Sequence, residues 1–434
     1  MKRANFYAVL SETDLQTRDA ADYGNGLLKD LGCQETVNNL SDHPALAWRR
    51  SGLLQTTQLM LPTPLAAHAD GALLALKALL PDADLPQSGA LLVGERARLR
   101  KTIRQGLQCA GGYGRLMETA DGRIALNLVR DDDWDFIPAW LEDYGADWDG
   151  ITDLVRLKKK SYLIERAAEI GLAVAVDNLP ERPEEWVSIE RFEKTPPIKN
   201  PLIVDLSGLW AGPLASSLMG MGGAEVVKIE SPTRPDGMRL GHEGFYALLN
   251  SGKDCVALNF RDETDLNKLK NLISRADIVI EASRPRALQQ LGLVAEEFVA
   301  RKPGQIWARL TAYGRDQNRI GFGDDIGISA GLSSVMDKAH GEPCFVGDAI
   351  ADPVNGIHLA LALQALLNQG GGAVIDLSMK DVLRYAMGDL PADLRQTAKA
   401  WQVISDEDTA SFYALREPSG DVKALGTDNT AWQC

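Results

Sequence analysis

The sequence predicts an α/β protein: a parallel sheet wrapped by helices in a large domain, joined to a smaller α+β domain. Three observations carry this. After residue 200, apolar runs ended by turn residues alternate with helical segments, the pattern of a parallel sheet covered on both faces. Before residue 190, "DGRIALNLVRDDDWDFIPAWLEDYG" reads as turn, strand and helix, without that alternation. Between them lies "RFEKTPPIKN", whose two prolines read as an extended connection.

Taken in order, residues 1–100 form a unit of their own, considered below, and residues 101–190 form the small domain. There, Ile124 to Val129 is a strand, followed by a helix whose first turn, Asp131 to Asp133, suits the positive end of its dipole. "LKKKSYLIERAAEIGLAVAVDNL" then gives a helix, a glycine stop and a short apolar strand. Residues 191–200 are the linker. Residues 201–390 are the large domain, with strands at "LIVDLSG", "AEVVKIESP", "CVALNF", "ADIVIEA" and "QIWARLTAYG". "GPLASSLMGMGG" between the first two is a helix with Pro213 at its first position and Gly222 and Gly223 at its end. Residues 391–434 are a linker or tail. A Rossmann-like sheet of this kind binds ligands outside the carboxyl ends of its strands, so the loops after Leu206, Glu230, Glu281 and Leu310 are the place for a site.

Composition narrows the function. The 434 residues exceed one ordinary core. Hydrophobic content of 45% and charged content of 24% are globular. A net charge of -14 repels phosphate backbones, which argues against nucleic acid. Five scattered cysteines without CxxC suit reduced thiols in the cytoplasm. The N-terminus shows no secretory signal, and no apolar run reaches about 18 residues, so no membrane span is expected. The histidines form no HxH or HExxH, so no metal site is expected. GxGxxG, GxxxxGK[ST] and GxSxG are all absent, which points away from dinucleotide, P-loop and nucleophile-elbow chemistry.

The motifs themselves carry a resemblance. "VDLSGLWAGPLASSLMGMGGAEVVKIESP", "FYALLNSGKDCVALNF", "ADIVIEASRPRALQQLGL", "GDDIGISAGLSSVM" and "AIADPVNGIHLALALQALL" together resemble the class III CoA-transferase family. This is the CaiB/BaiF-like group of formyl-CoA transferase, the carnitine CoA-transferases and alpha-methylacyl-CoA racemase. The resemblance runs from about Pro201 to Met379. It implies an acyl-CoA donor and a carboxylic acid acceptor as partners, coenzyme A as part of the substrate rather than a resident cofactor, and a homodimer. The family's nucleophilic aspartate falls on Asp352. On the residues alone, Asp352 followed by Pro353 reads as a helix N-cap. The resemblance makes Asp352 the nucleophile that attacks an acyl-CoA thioester.

For CoA, Leu209, Trp210 and Ala211 stand where the family's backbone approaches the ligand. Arg239, Lys253 and Arg284 are the candidate cations, with Arg234 and Arg286 nearby. Arg239 and Lys253 match family positions; Glu281-Ala282 replaces a Glu-Asn pair, Arg286 a glycine and Gln290 an arginine. Asp324 stands at the position of the racemase histidine; with Asp325 it shapes the substrate pocket or caps a helix. An acyl-CoA racemase of the same fold and a non-catalytic CoA-binding protein are the alternatives.

The domain order departs from the family, which places its small domain after the large one. Moreover, "PLAAHADGALLALKALL" aligns with the segment around Asp352: Ala66 with Ala351, Gly71 with Gly356, Leu74 to Leu76 with Leu359 to Leu361. Ala67 stands opposite Asp352. Residues 1–100 therefore read as a partial, decayed copy of the active-site segment that keeps the packing face without the carboxylate.

Overall fold

The computed structural model describes residues 15–144, 147–284 and 286–434. The N-terminal stretch read for a secretory signal lies outside the described residues, as does Pro285 of "ADIVIEASRPRALQQLGL". The strands are β1 Gln16–Thr17, β2 Ser41–Asp42, β3 Gly114–Thr119, β4 Gly122–Asn127, β5 Ala173–Val176, β6 Ser188–Arg191, β7 Leu202–Asp205, β8 Glu225–Glu230, β9 Asp254–Ala257, β10 Ile278–Glu281, β11 Ile306–Thr311 and β12 Ala373–Ser378. The large sheet has the order β6-β12-β11-β10-β7-β8-β9. All pairs are parallel except β12 with β6. The chain winds outward from β7 through β8 to β9, then returns to β10 on the other side of β7. That reversal opens a crevice outside the carboxyl ends of β7 and β10.

The five apolar runs read as large-domain strands are β7 to β11. Their side chains are buried on both faces; β10 and β11 are buried throughout. One face packs on the helices Ala211–Met221 and Ala351–Asn368. The other packs on Glu263–Arg275 and Ala295–Arg301. The small unit is the antiparallel sheet β3-β4-β5 with helices Trp148–Arg156 and Lys160–Ile170 over its own core. The acidic run Asp131–Phe136 forms a 3-10 turn rather than an α-helix. Asp133 is buried there against the Arg130 side chain, 2.8 Å from Nε.

Two boundaries move. The stretch 191–200 is not a free connection at its start. Arg191 belongs to β6, Phe192 N–H donates to the Gly372 carbonyl at 2.7 Å, and Thr195 N–H donates to Gly370 at 2.9 Å. β12 offers an edge there, and Gly370 has no room for a side chain, since a Cβ would sit 2.1 Å from the Thr195 oxygen. The expected tail contains the helix Leu394–Glu407, started by Asp393, which accepts from Gln396 N–H at 2.9 Å. Beyond it, Asp408 pairs with Arg49 and Arg50, and Arg416 pairs with Glu95. Asn429 bonds both the N–H and the carbonyl of Ala257, covering the free edge of β9.

Residues 15–100 share one continuous core with the large domain. Their helices repeat local geometry found around Asp352. A Cβ on Gly71 would lie 2.2 Å from the Ala20 carbonyl oxygen, and a Cβ on Gly356 would lie 2.8 Å from that of Ala211. So Leu65–Leu79 crosses Asp19–Asp30 as closely as Ala351–Asn368 crosses Ala211–Met221. Each long helix is preceded by a short helix, one residue, a left-handed glycine and another helix. The glycines are Gly52 (φ 91) and Gly331 (φ 103).

The two long helices meet at a buried polar lock. His358 Nδ1 is 2.8 Å from the Val354 carbonyl, which accepts only, so Nδ1 carries the proton. Nε2 is then the acceptor for Tyr23 Oη at 2.7 Å. His68 stacks on Tyr23 with centroids 4.0 Å apart. Burial lowers the pKa of both histidines to about 4, so both are neutral. Tyr23→Phe leaves Nε2 buried and unpaired. It should lower unfolding free energy by about 1–3 kcal/mol in chemical denaturation, with no change in the site chemistry. Among the described residues, no helix is long and apolar enough to cross a membrane.

Candidate active site

The helix that carries Asp352 begins at Ala351, with Ile350 as its cap. Asp352 is thus the second residue of the first turn, not the N-cap that Asp-Pro suggests. The chain turns earlier because Ala349 adopts φ 47, a conformation that a residue with a side chain rarely takes. Its N–H donates to Asp324 Oδ1 at 2.9 Å, and its carbonyl accepts from Asp352 N–H at 3.0 Å. The Asp352 carboxylate is therefore not occupied in capping its own helix. It lies over Gly323, where a Cβ would come within 2.0 Å of Oδ2.

Three carboxylates converge here, from the helix Gly323–Ser329 (Asp324), the loop before the long helix (Asp348) and Asp352 itself. One guanidinium answers them. Arg96, from the helix Gly89–Arg100, forks onto Asp348, with Nε 2.8 Å from Oδ2. Its guanidinium carbon sits 4.7 Å above the Trp210 ring and 6.0 Å above Phe245. Burial pushes the Asp352 pKa up to about 7; Asp324 and Asp348 add to the rise, and Arg96 and the Ala211 N–H oppose it. Asp324 is raised to about 6 by burial and by Asp348. Asp325 is raised to about 7 by burial; it accepts from Asn127 Nδ2 and Phe322 N–H, both at 2.9 Å, and its Oδ2 is buried with no partner among the described residues.

The facing wall is the loop between β7 and the helix Ala211–Met221. Leu209 is held at φ 64, and its N–H donates to Asp236 Oδ1 at 3.0 Å. Trp210 is buried edge-on against Phe245, centroids 4.9 Å apart. Buried ion pairs hold this loop. Lys228 meets Asp236 at 2.9 Å. Lys253 meets Asp205 at 3.3 Å, Ser216 Oγ at 2.7 Å and the Pro213 carbonyl at 2.9 Å. Arg239 pairs with Glu230 at 2.6 Å and covers the Tyr246 ring at 5.0 Å. Lys253 and Arg239 thus both face carboxylates of the protein. Arg284 is exposed in the loop after β10, and partial burial, then the positive charges of Arg130 and Arg234, lower its pKa. Arg234 is also exposed, in the loop after β8, and Arg286 is exposed on the same loop as Arg284.

Sequence reasoning brought Asp352, Asp324, Trp210 and Ala211 to one place. It missed Arg96, Asp348 and Gly323, and it missed that Asn127 and Cys109 of the small unit reach the Asp324–Asp325 turn. Gly323 had a signal, since it opens "GDDIG". Arg96 and Asp348 are 252 positions apart, and neither stands in a motif.

The model of CoA-transferase family III matches residues 199–414. The succinyl-CoA:glutarate CoA-transferase of Homo sapiens is 28% identical over 47% of this chain and 51% of its own length. The acetyl-CoA:oxalate CoA-transferase of Acetobacter aceti is 30% identical over 43% of this chain and 51% of its own. A CaiB/BaiF family protein from Brucella suis, solved as a crystal structure, is 25% identical with a TM-score of 0.39, covering 50% of this chain and 59% of that one. The chain spans about half the length of the curated relatives it matches. The matched stretch is the one that holds β7 to β12, Asp352 and the loops facing it, and the chain belongs to CoA-transferase family III.

Proposed function

We propose that the chain is an acyl-CoA:carboxylate CoA-transferase that works through a covalent aspartyl intermediate on Asp352. The observation that carries this is the Asp352 carboxylate, in the first turn of a helix yet not capping it, facing the Ala211 N–H at the start of the helix after β7. An Asp352 oxygen attacks the thioester carbonyl and expels CoA thiolate, leaving an acyl–aspartyl anhydride. The thiolate attacks the Asp352 carbonyl, releasing the donor acid and leaving an aspartyl-CoA thioester. The acceptor carboxylate then runs the sequence in reverse. The exposed pair Arg234 and Arg284 supplies charge for the CoA phosphates. Leu209, Trp210 and Ala211 line the approach of the thioester arm, and Arg239 and Lys253 shape it from behind. Asp324 and Asp325 bound the acyl pocket. In this reading, residues 15–100 are a copy of the active-site helices that kept the packing face without a carboxylate opposite Asp352, and the enzyme works as a cytoplasmic homodimer.

The test is to incubate the protein with a panel of acyl-CoAs, add hydroxylamine or borohydride, and map the adduct by mass spectrometry. A modified Asp352 supports transfer; no adduct and no transfer across a broad panel removes the reading. The pH dependence follows from the nucleophile. Asp352 attacks only as an anion, and its pKa is raised to about 7, so kcat/KM should fall as pH drops through about 7.

One observation favours a second reading. Asp324 and Asp352 are both raised close to neutrality, the condition for a pair that gives and takes protons. An acyl-CoA racemase would use them on the two faces of an alpha carbon. Exchange of alpha hydrogen with deuterated water, without an adduct, is the result that would select it.

A further inference from the structure

Arg96 lies outside the stretch matched to the family, in the segment whose helices repeat those around Asp352. It is nevertheless built into the site. Its side chain is only 12% exposed. It grips Asp348, which precedes the strained Ala349 and the Asp352 helix, and it lies over the ring of Trp210, which precedes the opposite helix. One side chain thus links both walls of the site. Its own helix is fixed next door, where buried Glu95 pairs with Arg416 at 2.6 Å.

The groups that face Asp352 come from four elements. They are Arg96 on Gly89–Arg100, Asp324 on Gly323–Ser329, Asp348 on the preceding loop and the Ala211 N–H at the start of the facing helix. Cys109 of the small unit bears on Asp324. Arg96 is the cation in this set. We infer that Arg96 is a positioning residue for the transfer reaction: it clamps the turn into the Asp352 helix against Trp210 and supplies the positive charge that keeps Asp352 an anion. The segment before the small unit therefore completes the site rather than merely covering it. This rests on the transferase reading of Asp352. The electrostatic part stands apart from it, because ionisation can be read without turnover.

The experiment uses the full chain and three variants, Arg96→Met, Arg96→Lys and Asp348→Asn. Ionisation of Asp352 is followed by infrared titration of aspartate-labelled protein, with Asp352→Asn as the subtraction. Arg96→Met should move the Asp352 titration to higher pH by about one unit. It should lower kcat at neutral pH about tenfold while KM for acyl-CoA changes little. Arg96→Lys keeps the charge and loses the fork and the ring contact; the titration should stay near the wild-type position and part of kcat should return. Asp348→Asn removes one anion and frees the guanidinium, so the titration should move to lower pH. That variant, with Arg96→Lys, decides the matter if Arg96→Met does not fold. An Asp352 titration that stays put in Arg96→Met, or in Asp348→Asn, would overturn the inference. A wild-type protein that forms no Asp352 adduct would instead remove the transferase reading and leave the titration result intact.

Discussion

Asp352→Asn is expected to abolish the proposed CoA transfer and, at alkaline pH, to raise thermal stability. The amide has no anionic oxygen to attack a thioester, so the rate falls on the order of 10³-fold or more. The stability gain follows from the same burial. The folded-state pKa of Asp352 is about 7, above the ordinary carboxylate value of 3.8, so the folded chain holds this proton more tightly than the unfolded chain. The stability this contributes is fully present below the unfolded pKa and is lost as pH rises through about 7. At pH 8 the wild type carries a buried anion and Asn does not; at pH 4 the difference closes. Thermal unfolding of both proteins at the two pH values reads this directly. A Tm that falls at pH 8 on substitution would mean that the carboxylate holds the fold together, as a cap would.

Gly323→Ala should also lower activity, without replacing any ionisable group. The new methyl would stand 2.0 Å from Asp352 Oδ2, 2.5 Å from the Ala349 carbonyl oxygen and 2.7 Å from the Ala349 Cβ. The carboxylate can rotate away, but the Ala349 backbone cannot, because it is already held at φ 47 by Asp324. The proposed nucleophile is displaced, and a displacement of about 1 Å costs roughly 10²-fold in rate. Overpacking of this kind also destabilises by about 1–3 kcal/mol. Kinetics and denaturation on Gly323→Ala check both parts. Wild-type rates in this variant would place the reacting group elsewhere.

The parallel strands were legible because a strand buried on both faces is a short apolar run ended by turn residues, and β7 to β11 are such runs. Asp352 was legible only through the resemblance; by its own residues it reads as a cap, and the early turn at Ala349 that frees it leaves no mark in the sequence. Arg239 and Lys253 were legible as cations, but not the Glu230 and Asp205 carboxylates that face them, because those contacts form across strands and helices that the sequence does not juxtapose. The 394–407 helix was missed because Asp393, its cap, stands in a polar stretch with few apolar positions. The parallel between residues 15–100 and the Asp352 region was visible as aligned small residues. The physical reason is the close crossing that Gly71 and Gly356 each permit. Arg96 was out of reach: its partner is distant in sequence, and a basic residue in "GERARLR" reads as a solvated face.

In the proposed reaction, Asp352 itself exchanges an oxygen with the acceptor acid. A single turnover with an acceptor labelled with oxygen-18 in both carboxylate positions tests it. After the reverse sequence, one labelled oxygen remains on Asp352, so the peptide containing Asp352 should gain one oxygen-18 and no other peptide should gain any. Turnover that leaves this peptide unlabelled would contradict the account.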